Sequence, residues 1–255
     1  VEKNSNNATA IINLFKKPII PHGWFFFFKS DGMNNLNTYI DHTVLKPTLL
    51  LSDVEACCKE AIEYQFVAVC VPPLFVKAAK AFLANTSIKV ATVVGFPFGY
   101  SAIEAKLAEA VLAMVDGADE LDVVANITAI KNNDWAYIAN ETNHIVPLVK
   151  SNGKTVKIII ESGVLTEQEI VKCCELYGIA EIDFLKTSTG YAAVGATVEA
   201  VKLMRKHLPT HIGIKASGGI KSSAFAQDLI LAGASRLGCS SSIAIVKQQV
   251  GSGNY

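Results

Sequence analysis

From Asn37 onward, short β-branched or apolar runs alternate with longer segments in which apolar residues recur every three or four positions. The runs TYIDHT, FVAVCV, KVATVVGF, ELDVVAN, TVKIIIES, IDFLKTS, HIGIKAS and SRLGCSS predict eight strands. Between them, SDVEACCKEAIEY, SAIEAKLAEAVLAMVDG and TEQEIVKCCELYG predict helices. Each opens on Ser or Thr with an acidic residue soon after, which is an N-cap signal, and a glycine near the end of two of them suits a C-terminal stop. Strands that are apolar along their whole length belong in a parallel sheet covered by helices, and closing eight βα units into a (β/α)8 TIM barrel leaves no edge. An open doubly wound sheet competes, but no GxGxxG follows an early strand, so its dinucleotide-binding version loses support.

The 255 residues suit one barrel of about 250 residues. Lys+Arg and Asp+Glu are equal at 23 each and the pI is about 7.1, so composition implies no basic face for nucleic acid or an anionic membrane. Mean hydropathy is +0.33, yet no apolar run reaches the roughly 18 residues of a bilayer span. The surplus therefore belongs in a core. The cysteines form two adjacent pairs, Cys57-Cys58 and Cys173-Cys174, with Cys70 and Cys239 apart. Neither CxxC nor Cys/His ligand spacing is present, so a reduced cytoplasmic protein with no metal and no cofactor is expected.

The first residues differ in character. VEKNSNNATA is polar, and WFFFF is too short for a signal-peptide core. Residues 1–35 are read as an N-terminal extension of uncertain origin and residues 36–250 as the barrel domain. Met33 is either the original start or part of a genuine extension whose aromatic block packs on the domain or on a partner chain.

Two lysines sit at the ends of apolar runs, Lys186 in DFLKTSTGY and Lys215 in HIGIKASGG. In a barrel these are consecutive strands six and seven, whose C-terminal ends face one site. Two ammonium groups in a partly dry space disfavour each other's charge, and an uncharged lysine is a nucleophile for carbonyls. Taken singly, each lysine could instead reach solvent or neutralise an anion. Asp122 in ELDVVAN is a carboxylate inside an apolar strand, either a structural ion-pair partner or, with both lysines converging, part of a proton relay. Glycines and serines after strands seven and eight, SGG at 217–219 and GCSSS at 238–242, suit an oxyanion site. His42, at the end of the first strand, is expected to bond a neighbouring backbone group rather than to act in catalysis. The cysteines read as small buried apolar residues.

The segments DHTVLKP, VAVCV, VVGFPFG, ELDVVANI, KIIIESG, DFLKTSTG, GIKASGGI and RLGCSS together resemble the class I deoxyribose-phosphate aldolases, from about Tyr39 to Val246. The resemblance implies a metal-independent lyase that reversibly cleaves 2-deoxy-D-ribose 5-phosphate to acetaldehyde and D-glyceraldehyde 3-phosphate. It implies Lys186 as the Schiff-base residue, Lys215 as the second active-site lysine and Asp122 as its partner in proton transfer. Gly218, Gly219, Gly238, Ser240 and Ser241 match the family's phosphate loops, and Thr43 and Cys70 match positions lining the substrate pocket. One departure is Tyr191, where some members carry a phosphate-holding lysine, so phosphate preference is expected to be weaker. The implied partners are small aldehyde and sugar-phosphate substrates, and a homo-oligomer is expected, with a dimer as one option. Another lysine-dependent aldolase, acting on a keto acid or ketose phosphate, and a catalytically silent phosphate-binding scaffold are the alternatives.

Overall fold

The computed structural model describes residues 35–249 and 251. Of the expected extension over residues 1–35, all but Asn35, including the WFFFF block and Met33, lies outside them. Strands β1 (Ile40–Thr43), β2 (Ala68–Val71), β3 (Lys89–Val94), β4 (Glu120–Val124), β5 (Thr155–Ile159), β6 (Phe184–Lys186), β7 (Gly213–Ser217) and β8 (Arg236–Cys239) are all parallel. They pair in chain order, and β8 closes on β1. The expected (β/α)8 barrel is therefore the fold.

Each strand is shorter than the run that predicts it, because the excess residues turn into loops and caps. ELDVVAN, for example, ends as strand at Val124, since Asn126 accepts from Ala129 N and caps the next helix. The helices are α1 (Leu51–Tyr64), α2 (Val76–Phe82), α3 (Ile103–Val115), α4 (Ile127–Lys131), α5 (Trp135–Ser151), α6 (Glu167–Ile179), α7 (Val198–His207), α8 (Ser223–Leu231) and α9 (Ser242–Val246). Of the three expected caps only Thr166 holds: it accepts from Glu169 N while the Glu169 carboxylate accepts from Thr166 N. α1 starts before Ser52, and Asp53 takes over by accepting from Leu50 N at 2.9 Å. α3 starts after Ala102, not Ser101. Gly117 (φ +104°) does end α3, whereas Gly178 stays within α6, tight against Pro209.

Alternation along the strands sorts the side chains. Val69, Leu121, Val123, Ile158, Leu185, Ile214 and Leu237 point outward into the apolar layer under the helices. His42 points the same way. It is buried between Ser242 Oγ (2.9 Å) and Glu60 Oε2 (2.7 Å), so its partners are side chains and not the backbone group expected. The inward positions carry the charge described below.

A second buried polar device braces the end of β4. Lys106 on α3 donates to Glu141 Oε1 on α5 (2.6 Å) and to Val124 O (2.7 Å), and Glu141 Oε2 accepts from Asn126 N (3.3 Å). Burial pushes the Lys106 ammonium down and the Glu141 carboxyl up, and each is the main group that holds the other in its charged form, with smaller help from Glu109 and from Asn126 N. Lys106→Met strands a buried carboxylate and is expected to cost about 3–5 kcal/mol in denaturant unfolding. The double variant with Glu141→Leu should recover only part of this, because Val124 O and Asn126 N lose their partners as well.

Candidate active site

The inward residues of six strands build one charged cluster where such barrels ordinarily pack branched apolar side chains. Asp122 on β4 is its centre. Its Oδ2 accepts from Lys186 Nζ (2.8 Å) and Lys215 Nζ (2.7 Å), and its Oδ1 accepts from Lys157 Nζ (2.7 Å). Lys215 also donates to Asp41 Oδ2 (2.5 Å), and Lys157 to Glu120 Oε2 (2.6 Å). At the lower end, Arg236 donates to Asp41 Oδ1 (2.7 Å) and Glu120 Oε2 (3.2 Å) and lies over the Phe184 ring. Except for Arg236, these charged groups are all buried.

Strand register explains the convergence. Lys186 pairs with Lys215, Lys215 with Arg236, and Asp122 with Lys157 across neighbouring strands. Room for the Lys215 stem comes from Gly238 on β8, where a Cβ would lie 3.1 Å from Lys215 Cε and 2.9 Å from Ser217 Cβ.

The cluster holds four basic groups, Lys157, Lys186, Lys215 and Arg236, against three carboxylates, Asp41, Glu120 and Asp122. These groups alone leave one positive charge in excess, and the nearby Glu161 carboxylate also feels Lys186. Lys215 touches two carboxylates, and although burial opposes its charge, Asp122 and Asp41 hold its ammonium well above the ordinary range. Lys157 is likewise raised by Asp122 and Glu120 against burial. Lys186 touches only Asp122 Oδ2, an oxygen it shares with Lys215. Burial lowers it most, Asp122 pulls the other way and Lys215 adds to the lowering, so its amine ends below the ordinary lysine range. Asp122 stays ionised because its three lysines outweigh burial.

Lys186, Lys215 and Asp122 are thus brought together as expected. The main cause of the Lys186 shift is burial, however, with the neighbouring ammonium second to it among the lowering influences. Thr43 and Cys70 pair in register on β1 and β2. The Thr43 hydroxyl donates to Asp41 O at 2.9 Å. Cys70, its thiol pushed up to about 11 by burial, belongs to an apolar group with Leu45, Ala91, Val93 and Phe96 beside the lysines. Gly218 and Gly219 follow β7 with φ of +84° and +77°, and a Cβ on Gly218 would crowd Gly195 and Gly190. Ser240 and Ser241 follow β8 next to them, and Ser241 Oγ is buried with no hydrogen-bond partner among the described residues. Also among those residues, no group of three or more His, Cys, Asp and Glu side chains is arranged to hold a metal ion.

Sequence reasoning singled out neither Lys157, Asp41, Glu120, Arg236 nor Glu161. The signal was present for four of them, as a charged residue on the inward parity of an otherwise apolar strand. Attention to strand ends alone passes over it.

The profile of the DeoC/LacD family aldolases matches residues 36–252. The chain is 45% identical over 221 residues to the deoxyribose-phosphate aldolase of Caldanaerobacter subterraneus, covering 86% of this chain and 96% of that one. It is 50% identical over 211 residues to the deoxyribose-phosphate aldolase of Thermococcus kodakarensis, covering 82% and 94%. The tetrameric deoxyribose phosphate aldolase structure from Aeropyrum pernix superposes with a TM-score of 0.79 at 30% identity, over 85% of this chain and 92% of that one. Similarity of this extent, across a closed barrel with a lysine–aspartate cluster inside it, makes the chain a member of the DeoC/LacD family of aldolases.

Proposed function

We propose that this chain reversibly cleaves 2-deoxy-D-ribose 5-phosphate to acetaldehyde and D-glyceraldehyde 3-phosphate through an imine on Lys186. The substrate follows from the family and its named relatives. The residue follows from one observation: of the lysines that meet Asp122, Lys186 is the amine that burial and Lys215 favour in the uncharged form.

In the cleavage direction neutral Lys186 adds to the C1 aldehyde of the open-chain sugar, and loss of water gives a protonated imine. The C3 hydroxyl gives up its proton, the C2–C3 bond breaks and its electron pair moves into the imine, leaving an enamine and releasing glyceraldehyde 3-phosphate. Protonation of the enamine carbon and hydrolysis then free acetaldehyde and the amine. Asp122, 2.8 Å from the Lys186 nitrogen, and Lys215 are the groups assigned to move these protons. Lys157 keeps Asp122 ionised from its other oxygen. Thr43 and Cys70 are assigned to the pocket wall. Gly218, Gly219, Gly238, Ser240 and Ser241 are assigned to the phosphate, with the unpartnered Ser241 hydroxyl in support. Binding the remote phosphate orients the reacting carbons. Tyr191, in place of a lysine, weakens the phosphate requirement.

Small aldehydes and sugar phosphates are the proposed partners, and a homo-oligomer is supported by the tetramer of the Aeropyrum pernix relative. A cytoplasmic location is proposed on the six buried, unbridged cysteines. Among the described residues no helix is long and apolar enough to cross a membrane. Catalysis is assigned to residues 36–250.

Borohydride reduction with acetaldehyde should add a two-carbon group at Lys186, located by peptide mass mapping. Modification of Lys215 with Lys186 untouched contradicts the assignment. Lys215→Leu removes a like charge and leaves Asp122 to pull on Lys186 alone, so the Lys186 amine rises toward the ordinary range. The alkaline-rising limb of imine formation should then move to higher pH, and kcat near neutrality should fall by about 10²–10⁴-fold. An unmoved limb means that the two lysines do not sense each other. A chain beginning at Met33 should keep wild-type kcat and solubility; aggregation or loss of turnover would place the preceding residues in the working structure.

A further inference from the structure

Tyr191 lies in the loop after β6 and reaches across the mouth of the barrel. Its phenol donates to Leu45 O, beyond β1, at 2.9 Å. Its ring meets Phe96, beyond β3, edge-on, with centroids 5.5 Å apart and planes at 86°. β1, β3 and β6 are not neighbours in the closed ring, so this one side chain ties together loops from separate sides. Inward of it, Phe96 packs with Leu45, Cys70, Ala91 and Val93, the apolar group beside Lys186. On its other side Tyr191 lines a surface cavity of about 330 Å³ together with Phe98, Tyr100, Ile127, Val164 and the pair Glu161 and Thr189. Phe98 and Tyr100 are stacked at 5.4 Å and 11° and are 57% and 65% exposed, an apolar lining with nothing of the described chain laid over it.

The tyrosine is held from behind. Its backbone N–H donates to Thr189 Oγ1 at 3.1 Å, and the Thr189 hydroxyl and N–H both donate to the Glu161 carboxylate. Glu161 is buried, with φ +52° and ψ +57°. A residue with a Cβ adopts this left-handed conformation at a cost, and such strain persists where the surroundings over-determine it. In this conformation the Glu161 carboxylate reaches the loop that carries Tyr191, while Ser162 N donates to Thr187 O at 2.7 Å.

We propose that Tyr191, fixed by Glu161 through Thr189, is a specificity-determining partition between the chamber around Lys186 and the outer cavity. It admits small aldehydes and excludes acceptor aldehydes whose chain ends in an apolar tail or an aromatic ring. Withdrawing it joins the two spaces and offers such a tail the Phe98 and Tyr100 lining. The proposal rests on imine formation at Lys186.

The test measures kcat/KM with acetaldehyde as donor and hexanal, 3-phenylpropanal or glyceraldehyde 3-phosphate as acceptor, taking the ratio of each apolar acceptor to the phosphorylated one. A purely structural role lowers all the rates together and leaves the ratio alone. Tyr191→Ala should raise the ratio at least tenfold. Glu161→Gln should raise it in the same direction, and the double variant should add nothing to Tyr191→Ala, since both act on one element. An unchanged ratio in Tyr191→Ala overturns the partition, and multiplicative effects in the double variant overturn the role of Glu161. If Tyr191→Ala does not fold, Tyr191→Phe keeps the ring, removes the hydroxyl that bonds Leu45 O and should raise the ratio at least twofold, with no rise again overturning the proposal. Borohydride trapping of acetaldehyde on the wild-type protein separates the two readings: no adduct at Lys186 means that the imine assignment has failed, whereas an adduct with unchanged ratios means that the partition has.

Discussion

One carboxylate, Asp122, shared among three lysine nitrogens in the barrel interior, is the constraint around which the other inward residues are arranged. Desolvating an isolated charge is prohibitive, and even a buried pair recovers its cost only with good geometry. Here the cost is met by crowding. Each carboxylate oxygen of Asp122 has a lysine within 2.8 Å, and Asp41 and Glu120 complete the coordination of Lys215 and Lys157. The charge cluster replaces much of the branched filling of the barrel, so apolar packing falls mainly to the outward face and the helices, with a small inner group on β2 and β3 around Cys70, Ala91 and Val93.

Lys186 and Lys215 differ in their surroundings and not in their chemistry. Both are buried on adjacent strands and face each other in register. Lys215 has Asp41 and Asp122; Lys186 has only a share of Asp122. A single carboxylate contact sends one amine up and lets burial bring the other down, which is the division of fixed cation and nucleophile that the proposed mechanism asks of two identical residue types.

Period and parity made the barrel and its eight strands legible in sequence, because a parallel sheet covered on its outer face needs apolar runs and βα alternation. Lys186, Lys215 and Asp122 were legible as charges interrupting such runs. Lys157 and Arg236 carry the same signal, but Arg236 opens its strand and Lys157 is followed by three isoleucines, so neither reads as the end of an apolar run. Two helix starts were misplaced because the cap was supplied otherwise: by Asp53 from inside α1, and by no side chain at all for α3. His42 was placed correctly on its strand, but its partners, Ser242 and Glu60, come from helices 200 and 18 residues away, and no local pattern encodes that meeting. Glu161 could not be read at all, since its significance lies in a backbone conformation that its residue type does not favour.

The unequal count of charges in the cluster has a reach beyond the mouth of the barrel. Arg236 opens β8 at the lower end, away from the surface where a sugar phosphate would enter, and touches neither Lys186 nor Asp122. It acts through its neighbours: Arg236 helps to keep Asp41 ionised, Asp41 holds Lys215 charged, and Lys215 in turn lowers Lys186. The floor of the barrel thus reaches the upper lysine through two intermediaries. In this fold the usual division between a stability face and a catalytic face is bridged by electrostatics through the core.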